Sequence, residues 1–92
     1  MGRKKARTDD AADALDEKEQ ARRAELAKRV MVRRAELGNP PMEAVADEAG
    51  VHRNTYRLLE DGKGNITTRN LWKVADALGV HVTKLLGDPP PE

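Results

Sequence analysis

Apolar residues along the chain recur mostly three and four positions apart, the period of a helix with one buried face. From Asp9 to Leu37 nearly every residue favours a helix, and neither glycine nor proline interrupts. Thr8 or Asp9 can cap the start of this stretch, and Gly38 can end it. Within it, Leu26, Val30 and Leu37 mark one face, whereas before residue 24 only Leu15 and several alanines are apolar. The pattern therefore predicts a first core helix over residues 24–37, preceded by a helical extension. Asn39-Pro40-Pro41 is a stiff connector, and proline at a first helical position predicts a second helix from Pro41 or Met42 to Ala49, with Val45, Ala46 and Ala49 inward. Gly50 supplies a turn, a third helix covers Arg53–Glu60, and Gly62-Lys63-Gly64-Asn65 reads as a loop. Thr67 or Thr68 caps a fourth helix through Leu78, whose inner face is Leu71, Val74, Ala75 and Leu78. A short fifth helix holds Val82, Leu85 and Leu86 before Gly87. The fold class is all-α with five helices; no strand or internal repeat is signalled.

Composition narrows the picture. Ninety-two residues suit one domain plus tails, and one Trp, one Tyr and no Phe make its core aliphatic. The absence of cysteine removes disulfides, thiol catalysis and cysteine-based zinc sites. No apolar run reaches membrane-spanning length and no secretory leader opens the chain, so a cytoplasmic protein is expected. Net charge is only +1, yet it is distributed in blocks. Residues 1–8 carry Arg3, Lys4, Lys5 and Arg7 without an acid, and read as a flexible basic arm. Residues 9–20 hold six acids against Lys18 alone, and residues 21–37 hold six bases against Glu25 and Glu36. A polyanion responds to such local fields rather than to the total. Residues 9–25 form the helical extension, 26–87 the domain, and 88–92 a disordered tail.

The segment from Met42 to Asp61 carries the functional reading. Two short helices joined by a glycine turn define a helix-turn-helix unit. Ala46 is small where the helices cross, Gly50 can take a positive φ, and Val51, Tyr56 and Leu59 point inward. At about 100° per residue, that choice turns Asn54, Arg57, Leu58 and Asp61 outward. Asn54 can pair with an adenine edge, and Arg53 or Arg57 can fork onto guanine. Leu58 either touches a thymine methyl or is an exposed hydrophobe without a role. His52 and His81 occupy cap positions, and no Cys or paired ligand accompanies them, so no metal site is expected. Lys63 and Arg69 are the favoured phosphate contacts, with Lys73, Lys28, Arg29 and Arg33 as further candidates; His52 gains a phosphate-facing role from its place at the start of the third helix. Trp72 lies beside the inner stripe of the fourth helix, where it covers a core edge or packs on the extension or a second subunit.

The stretch LAKRVMVRRAELG…MEAVADEAGVHRNTYRLLEDGKG…LWKVADALGVHVTKLLG resembles the Cro/phage-repressor (XRE) type of helix-turn-helix domain, from Leu26 to Gly87. The resemblance lies in the order and spacing of the Ala-Gly-Val turn, the LEDGK end of the third helix and the ADALGV end of the fourth. It implies double-stranded DNA as partner, a homodimer joined near the fourth and fifth helices, and a buried ion pair between Arg34 and Glu60. Otherwise Arg34 is one solvated base among several. Two departures stand out. Met42 replaces the glutamine frequent at the first position of the second helix, though backbone N–H groups there can still hold a phosphate. The preceding loop is one residue longer and has two prolines. No catalytic constellation and no cofactor motif appears, and Gly62-Lys63-Gly64 is too little for nucleotide binding. A protein-binding adaptor, docking a partner through residues 9–25, is the alternative from another functional class.

Overall fold

The computed structural model describes residues 2–87, with side chains described from Glu17 onward. The elements are α1 (Gly2–Glu36), α2 (Met42–Ala49), α3 (Arg53–Glu60), α4 (Thr68–Ala77) and α5 (Val82–Leu86), and no strand occurs among the described residues. The domain is all-helical.

The largest departure from the pattern-based expectation is at the start. The separate arm over residues 1–8 and a cap at Thr8 or Asp9 are not seen; α1 is continuous from Gly2 through both positions. Arg3 to Arg7 are themselves good helix formers, and nothing after Gly2 breaks the run, so the ladder of backbone hydrogen bonds has no reason to stop at residue 8. At 1.5 Å per residue α1 is about 52 Å long. The tail expected over residues 88–92 lies outside the described residues.

α1 ends where Gly38 and Asn39 take positive φ (94° and 57°), and the Asn39 N–H returns to the Arg34 carbonyl at 3.0 Å. Leu37 falls in this turn rather than in the helix and is 45% exposed, so it does not extend the core face. Ala27 and Val30 are the buried contribution of α1, with Leu26 packed on the margin.

Around Val30 the remaining helices close a small aliphatic core: Val45, Ala46 and Ala49 from α2, Tyr56 and Leu59 from α3, Leu71, Val74 and Ala75 from α4, then Leu78 and Leu85. Ala46 is fully buried at the α2–α3 crossing, and its carbonyl accepts from both Gly50 and Val51 N–H (2.9 and 3.0 Å). Gly50 sits at φ 75°, ψ 31°, a left-handed conformation that a side chain would strain. Thr67 caps α4 by accepting from the Asn70 N–H at 3.1 Å. Trp72 is 56% exposed and does not cover a core edge, because it lies about 100° round α4 from Leu71 and nearly opposite Val74. Leu86 is likewise exposed, and Leu85 alone anchors α5 deeply.

Candidate nucleic-acid interface

Two helix starts and one helix face make the site. α2 begins at Pro41, which offers no side-chain cap; the first carbonyl-bonded N–H groups belong to Ala44 and Val45. The N–H groups of Met42 and Glu43 thus precede the helix ladder. α3 begins at His52, whose Nδ1 accepts the Asn54 N–H at 3.0 Å. An accepting Nδ1 leaves the proton of the neutral ring on Nε2, an outward donor. Pro41, Met42, Glu43, His52, Arg53, Asn54 and Arg57 line a depression between these two starts.

The outer face of α3 is polar from its first turn. Arg53, Asn54 and Arg57 are exposed, while Tyr56 and Leu59 are buried beneath them. Arg53 is not solitary: Glu43 of α2 lies 3.4 Å from its Nη1, both side chains largely in solvent. Such an exposed pair contributes only about 0–1 kcal/mol, but it orients the arginine fork. Leu58 is half-buried and backs onto the α3–α4 loop, since a methyl group at Gly64 would come within 3.3 Å of its Cδ1. Lys63 and Arg69 are exposed beyond the end of α3 and at the start of α4.

Behind this face the structure brings Arg34 and Glu60 together. Arg34 Nε and Nη2 donate to the two Glu60 carboxylate oxygens at 2.7 and 2.9 Å, a bidentate pair whose side chains are 18% and 4% exposed. Arg34 Nη1 donates to the Pro40 carbonyl at 2.9 Å, and the Tyr56 hydroxyl donates to Glu60 Oε2. One carboxylate therefore ties α3 to α1 and, through Arg34, to the connector before α2. The hydrogen bond to Glu60 raises the Arg34 pKa above its ordinary value against the opposing effect of burial. Burial first, then the hydrogen bond to Glu60 and its charge, drive the Tyr56 hydroxyl well above the ordinary tyrosine range. The hydroxyl of Tyr56 was missed in the sequence, where the residue reads only as core; its spacing of four from Glu60 on one helix was the available signal.

The remaining basic candidates divide differently. Arg33 turns to the far end of α4, where Nε donates to the Leu78 carbonyl at 2.8 Å and Nη1 meets Glu36 at 3.2 Å. Arg29 pairs with Glu25 at 3.0 Å and lies against Gly87. Both are thus occupied on the α4–α5 side, away from the start of α3. His81 caps α5, with Nδ1 accepting the Thr83 N–H at 3.3 Å. No cluster of metal-ligating side chains occurs among the described residues, and none of their helices is long and apolar enough to cross a membrane.

Comparison with known proteins agrees with this layout. Residues 41–85 match a family described as helix-turn-helix, a span that begins at Pro41 and takes in α2, α3, α4 and most of α5. A curated relative is the cryptic phage CTXphi transcriptional repressor RstR of Vibrio cholerae serotype O1, 39% identical over 49 residues. That alignment covers 53% of this chain and 44% of the repressor, so the chain spans less than half the length of that relative. No solved structure matches. With the glycine turn at Gly50, the capped α3 and its polar outer face in place, residues 41–85 form a helix-turn-helix domain of the Cro/phage-repressor (XRE) type.

Proposed function

We propose that this protein is a transcriptional regulator that binds duplex DNA sequence-specifically, acting as a repressor through a homodimer on a near-palindromic operator. The observation that carries the reading is the outer face of α3, where Arg53, Asn54 and Arg57 are exposed on a helix fixed from behind by Tyr56, Leu59 and Glu60. A rigid helix with readers in its first turns is what major-groove recognition requires. Asn54 reads adenine, and Arg53 and Arg57 read guanine; Leu58, half-covered by the Gly64 loop, contributes apolar contact at the groove wall. The N–H groups of Met42 and Glu43, the His52 ring, Lys63 and Arg69 hold phosphates and set the register. The family match over residues 41–85 and the repressor function of the relative support the same reading.

Exposed Leu86 on α5 and Trp72 on α4 supply apolar surface for a second copy. Two α3 helices then enter successive major grooves about 34 Å apart. Selection from a random duplex library followed by footprinting is expected to return two inverted half-sites at that spacing. Asn54→Ala should relax the preference at one base pair of each half-site, at a cost of about 1–3 kcal/mol per contact. Selection returning no preferred sequence would overturn the specific reading.

The adaptor alternative has its own support, since α1 runs well beyond the domain, Met42 offers the interface no polar side-chain atom, and Glu43 places a carboxylate there. In that case binding to duplex DNA is weak at every salt concentration.

A further inference from the structure

The loop from Asp61 to Thr67 joins the recognition helix to α4 and carries Lys63. Few internal ties hold it. The Gly62 N–H reaches the Leu59 carbonyl at 3.2 Å and the Lys63 N–H reaches the Leu58 carbonyl at 2.9 Å; beyond them Gly64 lies against Leu58, Ile66 packs on the core margin, and Thr67 caps α4. Gly62 and Gly64 both adopt positive φ (71° and 74°). The middle of the loop is held from outside, by α1. Arg23 Nη2 donates to Asn65 Oδ1, and Glu19, one turn earlier on α1, lies 3.6 Å from the same nitrogen. The two backbones also approach closely, because a Cβ at Gly62 would meet Ala24 Cα at 3.6 Å and the Arg23 carbonyl oxygen at 3.7 Å.

We infer that Arg23 is a positioning residue for DNA binding, which fixes Asn65 and thereby holds Lys63 and its loop ready for the phosphate backbone. The inference rests on the DNA-binding reading above and gives a role to a part of α1 outside the matched residues 41–85. A loop that is already ordered loses less conformational freedom when it docks. Arg23 is only 31% exposed and its Nη2 is committed to Asn65 and Glu19, so it acts through the loop rather than on the phosphate itself.

The test compares full-length wild type, Arg23→Ala, Asn65→Ala and the double variant for binding to the selected operator across a salt series. Each single change and the double change are expected to weaken binding by the same factor, roughly five- to tenfold, with the salt slope unaltered. In the free protein, amide exchange at Gly64 and Asn65 should quicken in Arg23→Ala. If Arg23→Ala alone loses affinity and its slope falls by about 0.9, Arg23 is itself a phosphate contact and the brace is overturned. Unchanged affinity and exchange in Arg23→Ala would overturn it as well, with the DNA reading intact. A wild-type protein without steep salt dependence would instead bring down the DNA reading, and this role with it.

Discussion

Glu60→Ala is expected to cost about 3–5 kcal/mol in chemical denaturation, the penalty for stranding a buried charge. Its removal leaves the Arg34 guanidinium with the Pro40 carbonyl as its only partner among the described residues, and the buried Tyr56 hydroxyl without an acceptor. The pair is not simply adhesive. Replacing Arg34 and Glu60 together by apolar residues of similar volume should cost far less than either single change, because no charge is then orphaned. A loss under 1 kcal/mol for Glu60→Ala would mean that water reaches the pair and that α3 is not anchored by it. The same cluster gives stability a dependence on alkaline pH. Tyr56 has its pKa raised on folding, chiefly by burial and then by Glu60. Its contribution is therefore complete below the unfolded value of about 10 and is lost as pH rises through the folded one. Denaturation midpoints should begin to fall only above about pH 10 in wild type, and by less in Tyr56→Phe.

Leu78→Ala is expected to cost about 2–5 kcal/mol, through lost burial and the cavity left behind. Leu78 is 1% exposed between Val74 and Leu85, and in a core with one aromatic residue no large neighbour can swing in to fill the space. Trp72→Ala, by contrast, should change the stability of the monomer by no more than about 0.5 kcal/mol, since the ring projects into solvent when no second copy covers it. A larger loss that appears only at concentrations where the chain pairs would place Trp72 in the dimer contact.

Most of this architecture is legible in the sequence, for identifiable reasons. Gly50, Thr67 and the inward series Val45, Ala46, Tyr56, Leu59, Leu71, Val74 and Leu78 are local signals, in which turn chemistry and helical period agree. The outward placement of Asn54 and Arg57 follows from the same period. What escapes the sequence is an exact helix end and several contacts with distant partners. Leu37 has the right spacing for the core, but the helix ends one residue before it. Arg33 reads as a free cation until the Leu78 carbonyl, 45 residues later, comes within reach. Arg23 and Asn65 stand 42 residues apart, and neither is conspicuous alone. The break expected at residue 8 rested on the lack of apolar periodicity in residues 1–8, which does not stop a helix where no proline or glycine interrupts it.

The central claim is that this face meets the DNA backbone, and its salt response measures that contact without knowledge of the operator. Binding to a random duplex should fall linearly on a log–log plot against salt, with a slope near −0.9 for each phosphate held, and Lys63→Ala and Arg69→Ala should each make it shallower by about that amount. Absence of duplex binding at low salt, or a slope indifferent to both substitutions, would contradict the account.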